Sequence, residues 1–329
     1  MEDKKKKKRF NIFDWYYRQG KGNDKDDINA LKDPSIINFF KLTGSKLGKL
    51  ISSNLIMVFG NFPLFFILIA MSNILSESSI APLCQNWGPL YGASIHDNTQ
   101  TISALLGAFI PHSTISVINT PTIVFYCLGA LLLFTWGPTK TATSYLYRNM
   151  MSAEPVFPFS DAIYIIKKNI KQSIILGIID ALITCMFAYN IYFLTLNYNA
   201  STLNAFMLFL TVAMAILYSF AIPYAYIMVY TFDLKLTKII KNSMLFTILG
   251  IKRNLVRFGG TIAIIALNLL VFYILMPLGA LLPFIITFAI CDFMSVYSAY
   301  PNIIKYMLDE EDAQALIEHT PATDETYEE

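Results

Sequence analysis

The chain is 329 residues long, 55% hydrophobic and only 15% charged, whereas soluble domains carry about 25% charged residues. A net charge of +2 gives no sign of a nucleic-acid partner. The four cysteines contain no Cys-x-x-Cys pair, which leaves a disulfide framework, a metal centre or a redox cofactor without support.

Residues 1–34 begin with KKKKKR and continue through Phe10, Phe13, Trp15, Tyr16 and Tyr17. This basic, aromatic segment suits a membrane tether. The first apolar run starts near residue 50, too late for a secretory signal peptide, so the apolar segments themselves are the expected anchors. A spanning helix needs about 20 mostly apolar residues to cross a core of ~30 Å. Six stretches qualify: 51–75, 120–137, 173–196, 203–230, 258–277 and 279–301. They define a six-span membrane domain over residues 35–308, with one long loop at 76–119. Residues 309–329 hold nine acids and no Lys or Arg, a composition expected to stay disordered.

Charge orients these spans. All 25 Lys and Arg fall in residues 1–50, 138–172, 231–257 and 302–329, which six spans place on one side. The opposite side receives the 76–119 loop and the turns NYNAST and MPLG, none with a basic residue. The positive-inside rule then predicts a plasma-membrane protein with both termini cytoplasmic. Two basic stretches flank spans: Lys167, Lys168 and Lys171, then Lys235, Lys238 and Lys241. In the second, Leu234, Leu236, Ile239, Ile240, Met244 and Leu245 recur at helical spacing, which predicts an amphipathic helix in the interface, facing lipid or a partner.

FSDAIYIIKKNIKQSIILGI (159–178) and FDLKLTKIIKNSMLFTILGI (232–251) align at an offset of 73, with residues 36–50 a looser third copy. The architecture this suggests is an all-α membrane protein of six transmembrane helices in three hairpins, each entered through a cytoplasmic amphipathic helix. Chance likeness between basic amphipathic helices is the rival explanation.

Polar residues inside apolar runs mark the candidate site. Asp180 and Asp292 either form a proton or cation site or sit protonated, hydrogen-bonded to a neighbour such as Asn268, because no Lys or Arg is expected inside the spans. Asn54, Asn61, Asn190 and Asn268 suit interhelical hydrogen bonds, and Pro63, Pro223, Pro277 and Pro283 suit kinks. Tyr218, Tyr224, Tyr226 and Tyr230 suit an interfacial aromatic belt, with sugar stacking the alternative. GPTKTATSYLYR, from Gly137, suits close helix packing and lacks the Walker spacing of a phosphate loop. His96, Asp97 and His112 make at most a weak metal site.

Six words in order carry a resemblance: RFNIFDWYYRQGKG, NLIMVFGNFP, WGPTKTATSYLYRNM, FSDAIYIIKKNIKQS, FDLKLTKIIKNSMLFTILGIKRN and YPNIIKYM. Through them the chain resembles the YesL-like family, bacterial integral membrane proteins classed as a domain of unknown function. The resemblance implies a place near carbohydrate uptake, and a sugar ABC transporter permease as a possible partner. It supplies no catalytic residue. The ferredoxin-NADPH reductase label borne by some relatives finds no Gly-x-Gly-x-x-Gly and no cysteine cluster here. The expected function is thus a non-enzymatic accessory or regulatory component linked to carbohydrate uptake. The alternative is a small proton- or cation-coupled secondary transporter using Asp180 and Asp292.

Overall fold

The computed structural model describes residues 34–72, 77–82, 112–117, 119–152 and 155–307. The lysine-rich start, His96 with Asp97, and the acidic tail lie outside the described residues. What is described divides into two compact units: residues up to Asn61 together with those from Leu133 onward, and residues Phe62–Leu132.

The smaller unit holds helix α3 (Pro63–Met71), strands β1 (Glu77–Pro82) and β2 (His112–Val117), and α4 (Thr120–Gly129). The strands pair antiparallel from Glu77 against Val117 to Pro82 against His112. The long loop therefore contains a β-ribbon, which corrects the all-α expectation for that segment. α4 starts on Asn119, whose side chain accepts from the Thr122 N–H and hydroxyl, so an early orphan donor of the helix is capped. α3 and α4 pack closely because Gly129 has no side chain, and a Cβ there would collide with Ile67.

The larger unit is a helix bundle. It comprises α1 (Ile36–Ser45), α2 (Leu47–Gly60), α5 (Leu132–Met151), α6 (Pro158–Leu196), α7 (Thr202–Thr231), α8 (Leu236–Leu249), α9 (Ile251–Ile274), α10 (Met276–Leu282), a π-helical turn (Pro283–Thr287) and α11 (Phe288–Met307). Five helical stretches are long and apolar enough to cross a membrane: Thr120–Met151, Pro158–Leu196, Thr202–Thr231, Ile251–Ile274 and Met276–Met307. A sixth is counted if α2 and α3, separated at Asn61–Phe62, form one broken span. The break falls just before Pro63, which begins α3, where its missing N–H costs nothing. Leu42, Leu50, Tyr147, Met150, Ile227 and Phe293 lie at the centre of the core, while Phe209, Leu267 and Leu269 are exposed on the outside, as a lipid-facing surface requires.

Two boundaries differ from the sequence reading. Span two does not stop at residue 137, since α5 runs helically through GPTKTATSYLYR to Met151. Residues 159–171 and span three form a single 39-residue helix interrupted only at Asn169. Three short helices thus meet a longer one through one residue each: Lys46 (φ −105°, ψ 16°), Asn169 (φ −117°, ψ 19°) and Gly250 (φ −95°, ψ 16°). All three lie near the sparsely allowed bridge region. At the 73-residue offset, however, Gly250 aligns with Gly177 and not with Asn169, so the copies bend at different points.

Two contacts set the spacing of the bundle. Gly137 faces Gly177 so closely that a Cβ on Gly137 would sit 2.8 Å from the Gly177 Cα and would strike the Ser173 carbonyl. The small residues of the GPTKTA motif therefore permit a near backbone-to-backbone crossing of α5 and α6. Asn54 on α2 donates to the carbonyls of Pro283 (3.0 Å) and Phe284 (2.6 Å) and accepts from the Ala289 N–H (2.8 Å). It satisfies backbone groups that the π turn leaves open, as groups in an apolar medium must be satisfied.

Candidate functional site

Within the larger unit a cavity of about 310 Å³ opens among α5, α6, α7, α9 and α11. The lining residues of α5, α6, α7 and α11 recur at helical spacing, and α9 contributes one. α5 supplies Trp136, Lys140 and Ser144. α6 supplies Asp180, Thr184 and Phe187, and α7 supplies Tyr218, Ser219, Ile222 and Tyr226. α9 supplies Arg257, and α11 supplies Asp292 and Ser295.

Depth explains why these residues meet. Asp180 lies 16 residues before the end of α6, Tyr218 16 after the start of α7, Arg257 17 before the end of α9, and Asp292 16 after the start of α10. At 1.5 Å per residue each is about 24–26 Å from the short turn joining its pair of helices. The polar groups therefore share one level.

Asp180 is buried and surrounded by neutral donors. Trp136 Nε1 donates to its Oδ2 at 2.7 Å and the Tyr226 hydroxyl to the same oxygen at 2.8 Å. The Tyr218 hydroxyl donates to Oδ1 at 2.7 Å, and the Thr184 hydroxyl to Oδ1 at 3.4 Å. A carboxylate offers about four lone-pair sites, so all are occupied. Four donors from three helices thus converge on one carboxylate.

Asp292 has a cation. Lys140 Nζ donates to Oδ1 at 2.9 Å and Oδ2 at 2.7 Å, and it also sits 5.4 Å from the centre of the Trp136 ring. This corrects the expectation that neither aspartate has a charged partner inside the spans. Lys140 lies on the cavity wall because α5 continues past residue 137. Asn268 reaches neither aspartate: its amide donates to Gly279 O and Thr287 Oγ1, both at 3.4 Å.

Arg257, which the sequence places at the edge of a span, is only 8% exposed. Its two amino nitrogens donate to Ser295 Oγ at 3.1 Å and to Ser219 O at 2.9 Å, and the guanidinium lies 5.3 Å from the Phe220 ring centre. Its Nε–H is buried without a hydrogen-bond partner among the described residues. Arg257 also borders a second, largely apolar cavity of about 650 Å³ between α1, α9 and α11.

The four tyrosines form no interfacial belt, because Tyr224 and Tyr226 are buried. Tyr218 and Tyr226 serve Asp180. Tyr230 donates to Ser144 O at 3.0 Å. Tyr224 joins a separate buried network, donating to Asn254 Oδ1 at 3.2 Å and accepting from the Asn302 amide at 2.8 Å. Lys167, Lys168, Lys171, Lys235, Lys238 and Lys241 are all exposed, far from any such network, while Lys46 and Lys49 are buried at the start of α2. Among the described residues no three His, Cys, Asp or Glu side chains cluster as metal ligands.

The class these features define is a polytopic α-helical membrane protein with an ion-paired cavity inside its bundle. A family model described as "Protein of unknown function, DUF624" matches residues 115–191, the stretch that carries Trp136, Lys140 and Asp180. The YesL-like proteins belong to that family, so the resemblance read from the sequence holds over that stretch. No curated protein and no solved structure matches the chain.

Proposed function

We propose that this is a plasma-membrane secondary carrier, non-enzymatic, that binds a small polar solute in the cavity between α5, α6, α7, α9 and α11 and couples its movement to a proton. One observation carries the reading: Asp180, Asp292, Lys140 and Arg257 come from four helices to one level and line one cavity. Each charge costs about 2.5–3.5 kcal/mol to place in a membrane helix on insertion scales, and packing alone does not require four. The positive-inside pattern favours cytoplasmic termini and a cavity nearer the cytoplasmic face.

The test is uptake by the purified full chain in liposomes, using a mixed panel of small polar metabolites and mass spectrometry of the vesicle contents. At least one compound accumulates under an inward proton gradient with the native chain and not with Asp292→Asn. Equal contents in native, Asp292→Asn and empty vesicles refute carrier action.

A second reading, an accessory of a carbohydrate permease, draws support from α8. There exposed Lys235, Lys238 and Lys241 stand beside exposed Met244, Leu245, Ile248 and Leu249, a surface suited to headgroups or to a partner's cytoplasmic face. Co-purification of a permease that is lost on changing all three lysines to Glu would favour it.

A further inference from the structure

We infer that the cavity's ligand is a small organic monoanion, a carboxylate, held by Arg257 and Lys140, and that its binding protonates Asp292. This rests on the solute-site reading above and names the substrate class of that site.

Unused hydrogen-bonding capacity in the cavity identifies the charge of its ligand. An amine or other cation needs free carboxylate acceptors, and the cavity offers few: Asp180 has none left and Asp292 about two. Asp180 already accepts from Trp136, Tyr218, Tyr226 and Thr184, and both Asp292 oxygens accept from Lys140. Donors, by contrast, are in surplus. Arg257 carries five N–H donors and Lys140 three. Arg257 is more than nine-tenths buried, bonds only to serine oxygens and a carbonyl, and leaves its Nε–H unpartnered among the described residues. A guanidinium hydrogen-bonded only to neutral oxygens, with Asp292 acting on it at a distance but bonded to Lys140, keeps donors for an entering anion. A carboxylate matches its planar fork. A neutral polyol would leave that fork without a charged hydrogen-bond partner.

Charge balance supplies the proton. With Asp180, Asp292, Lys140 and Arg257 all ionised the cavity is neutral, and a monoanion would make it −1. One proton restores neutrality. Asp180 is the poorer acceptor for it, since its lone-pair sites are already taken by four donors. Asp292 is the better one, because the incoming carboxylate competes for Lys140, the cation hydrogen-bonded to it. The groups facing Asp292 are Lys140 and Tyr147 of α5, Asp180 of α6, Tyr218 and Tyr226 of α7, Arg257 of α9 and Cys291 of its own helix. In the step, the Lys140 N–H···O contact passes from Asp292 to the solute, and a proton from water forms the Asp292 O–H. The cavity lies at the small end of the ~300–1,000 Å³ range of ligand sites, so the anion is small.

The experiment uses the full chain in nanodiscs carrying Trp15→Phe and Trp87→Phe, which leaves Trp136 as the sole indole reporter at the cavity wall. D-Gluconate and L-lactate are titrated against their uncharged counterparts D-glucose and glycerol. Fluorescence reports binding, and a pH dye in weak buffer reports proton uptake. The expected result is saturable binding of at least one anion with about one proton taken up, no response to the neutral compounds, and at least tenfold weaker anion binding in Arg257→Gln. Should that variant not fold, Lys140→Gln is read instead and is expected to lose proton uptake together with affinity. Binding of the neutral compounds alone, no response to either anion, unchanged affinity in a folded Arg257→Gln, or anion binding without proton uptake each overturns the inference. Anion binding with proton uptake but no vesicle accumulation refutes the carrier and leaves the anion site standing. Accumulation of neutral solutes alone does the reverse.

Discussion

Replacing Asp180 by leucine removes the common acceptor of Trp136, Tyr218 and Tyr226. Those three donors make the short contacts, at 2.7–2.8 Å, and Asp180 itself is only 5% exposed, so water cannot readily take its place. Hydrogen bonds to a charged group are worth about 1.5–3 kcal/mol each in soluble proteins. Interhelical bonds in membranes average nearer ~0.6 kcal/mol, because the unfolded chain in lipid also finds partners. Three bonds therefore bracket a loss of about 2–9 kcal/mol, and their sharing of one carboxylate makes the lower half of that range the expectation. Asp180→Asn keeps one acceptor oxygen but turns the other into a donor facing donors, so it should fall between wild type and leucine. The assay is unfolding in mixed micelles by stepwise addition of SDS, followed by far-UV circular dichroism and by Trp136 fluorescence. The expected order of midpoints is wild type, then Asn, then Leu, with the fluorescence of folded Leu protein altered because the indole N–H has lost its acceptor. A leucine variant as stable as the native chain would refute the claim that Asp180 organises α5, α6 and α7.

Other predictions rest on separate contacts. Gly137→Ala drives a Cβ into the Ser173 carbonyl and Gly177 and should cost about 1–3 kcal/mol by overpacking, whereas Gly259→Ala, with nothing within 4 Å of the new Cβ, should be neutral or stabilise by up to about 1 kcal/mol; the same SDS titration compares them. Asn54→Ala strips three hydrogen bonds from the π turn and should lower the midpoint more than Asn61→Ala, whose amide bonds only within its own helix to Met57 O. Cysteine placed at Lys238 should react with an impermeant maleimide only in inside-out vesicles, and cysteine at Asn199 only in right-side-out ones; the opposite pattern would overturn the assigned orientation.

Much of this architecture is legible in the sequence because a membrane span announces itself by length and apolarity alone. Asp180 and Asp292 stand out for the same reason, as carboxylates inside apolar runs. Lys140 and Arg257 do not, since each lies at the margin of its run, where a cation reads as the shoulder of a span. The Lys140–Asp292 pair joins residues 152 apart in the chain, a separation at which local spacing carries no information. Burial likewise separates Tyr226 from an interfacial ring only after α7 is packed. One signal was available: Trp136, Lys140 and Ser144 recur every four residues, as do Asp180 and Thr184, marking polar faces on α5 and α6 that lipid would not tolerate.

The 73-residue offset acquires a meaning at the cavity that it lacks at the helix breaks. Thr184 and Arg257 stand 73 residues apart, as do Ser219 and Asp292, Ile222 and Ser295, and Pro223 and Val296, and all eight line the same cavity. None of the four pairs is identical, and Ser219, Ile222 and Pro223 share one helix face, so the offset is one of depth and facing more than of residue type. Residues of α6–α7 and of α9–α11 thus line the site at matching positions of the offset. The counterparts differ in their chemistry: where the first pair has the neutral Thr184 and Ser219, the second has the charged Arg257 and Asp292. Asp180 breaks the correspondence the other way, matching Arg253, which is turned to the Tyr297 carbonyl at 3.3 Å. Charge thus enters the cavity from opposite halves at different positions, with the acid held by neutral donors on one side and the exchangeable acid and unspent guanidinium on the other. The two halves therefore offer the cavity different partners at matching positions, neutral hydroxyls from one and a cation with an acid from the other. The scheme needs Asp292, not Asp180, to be the group that responds to a bound anion.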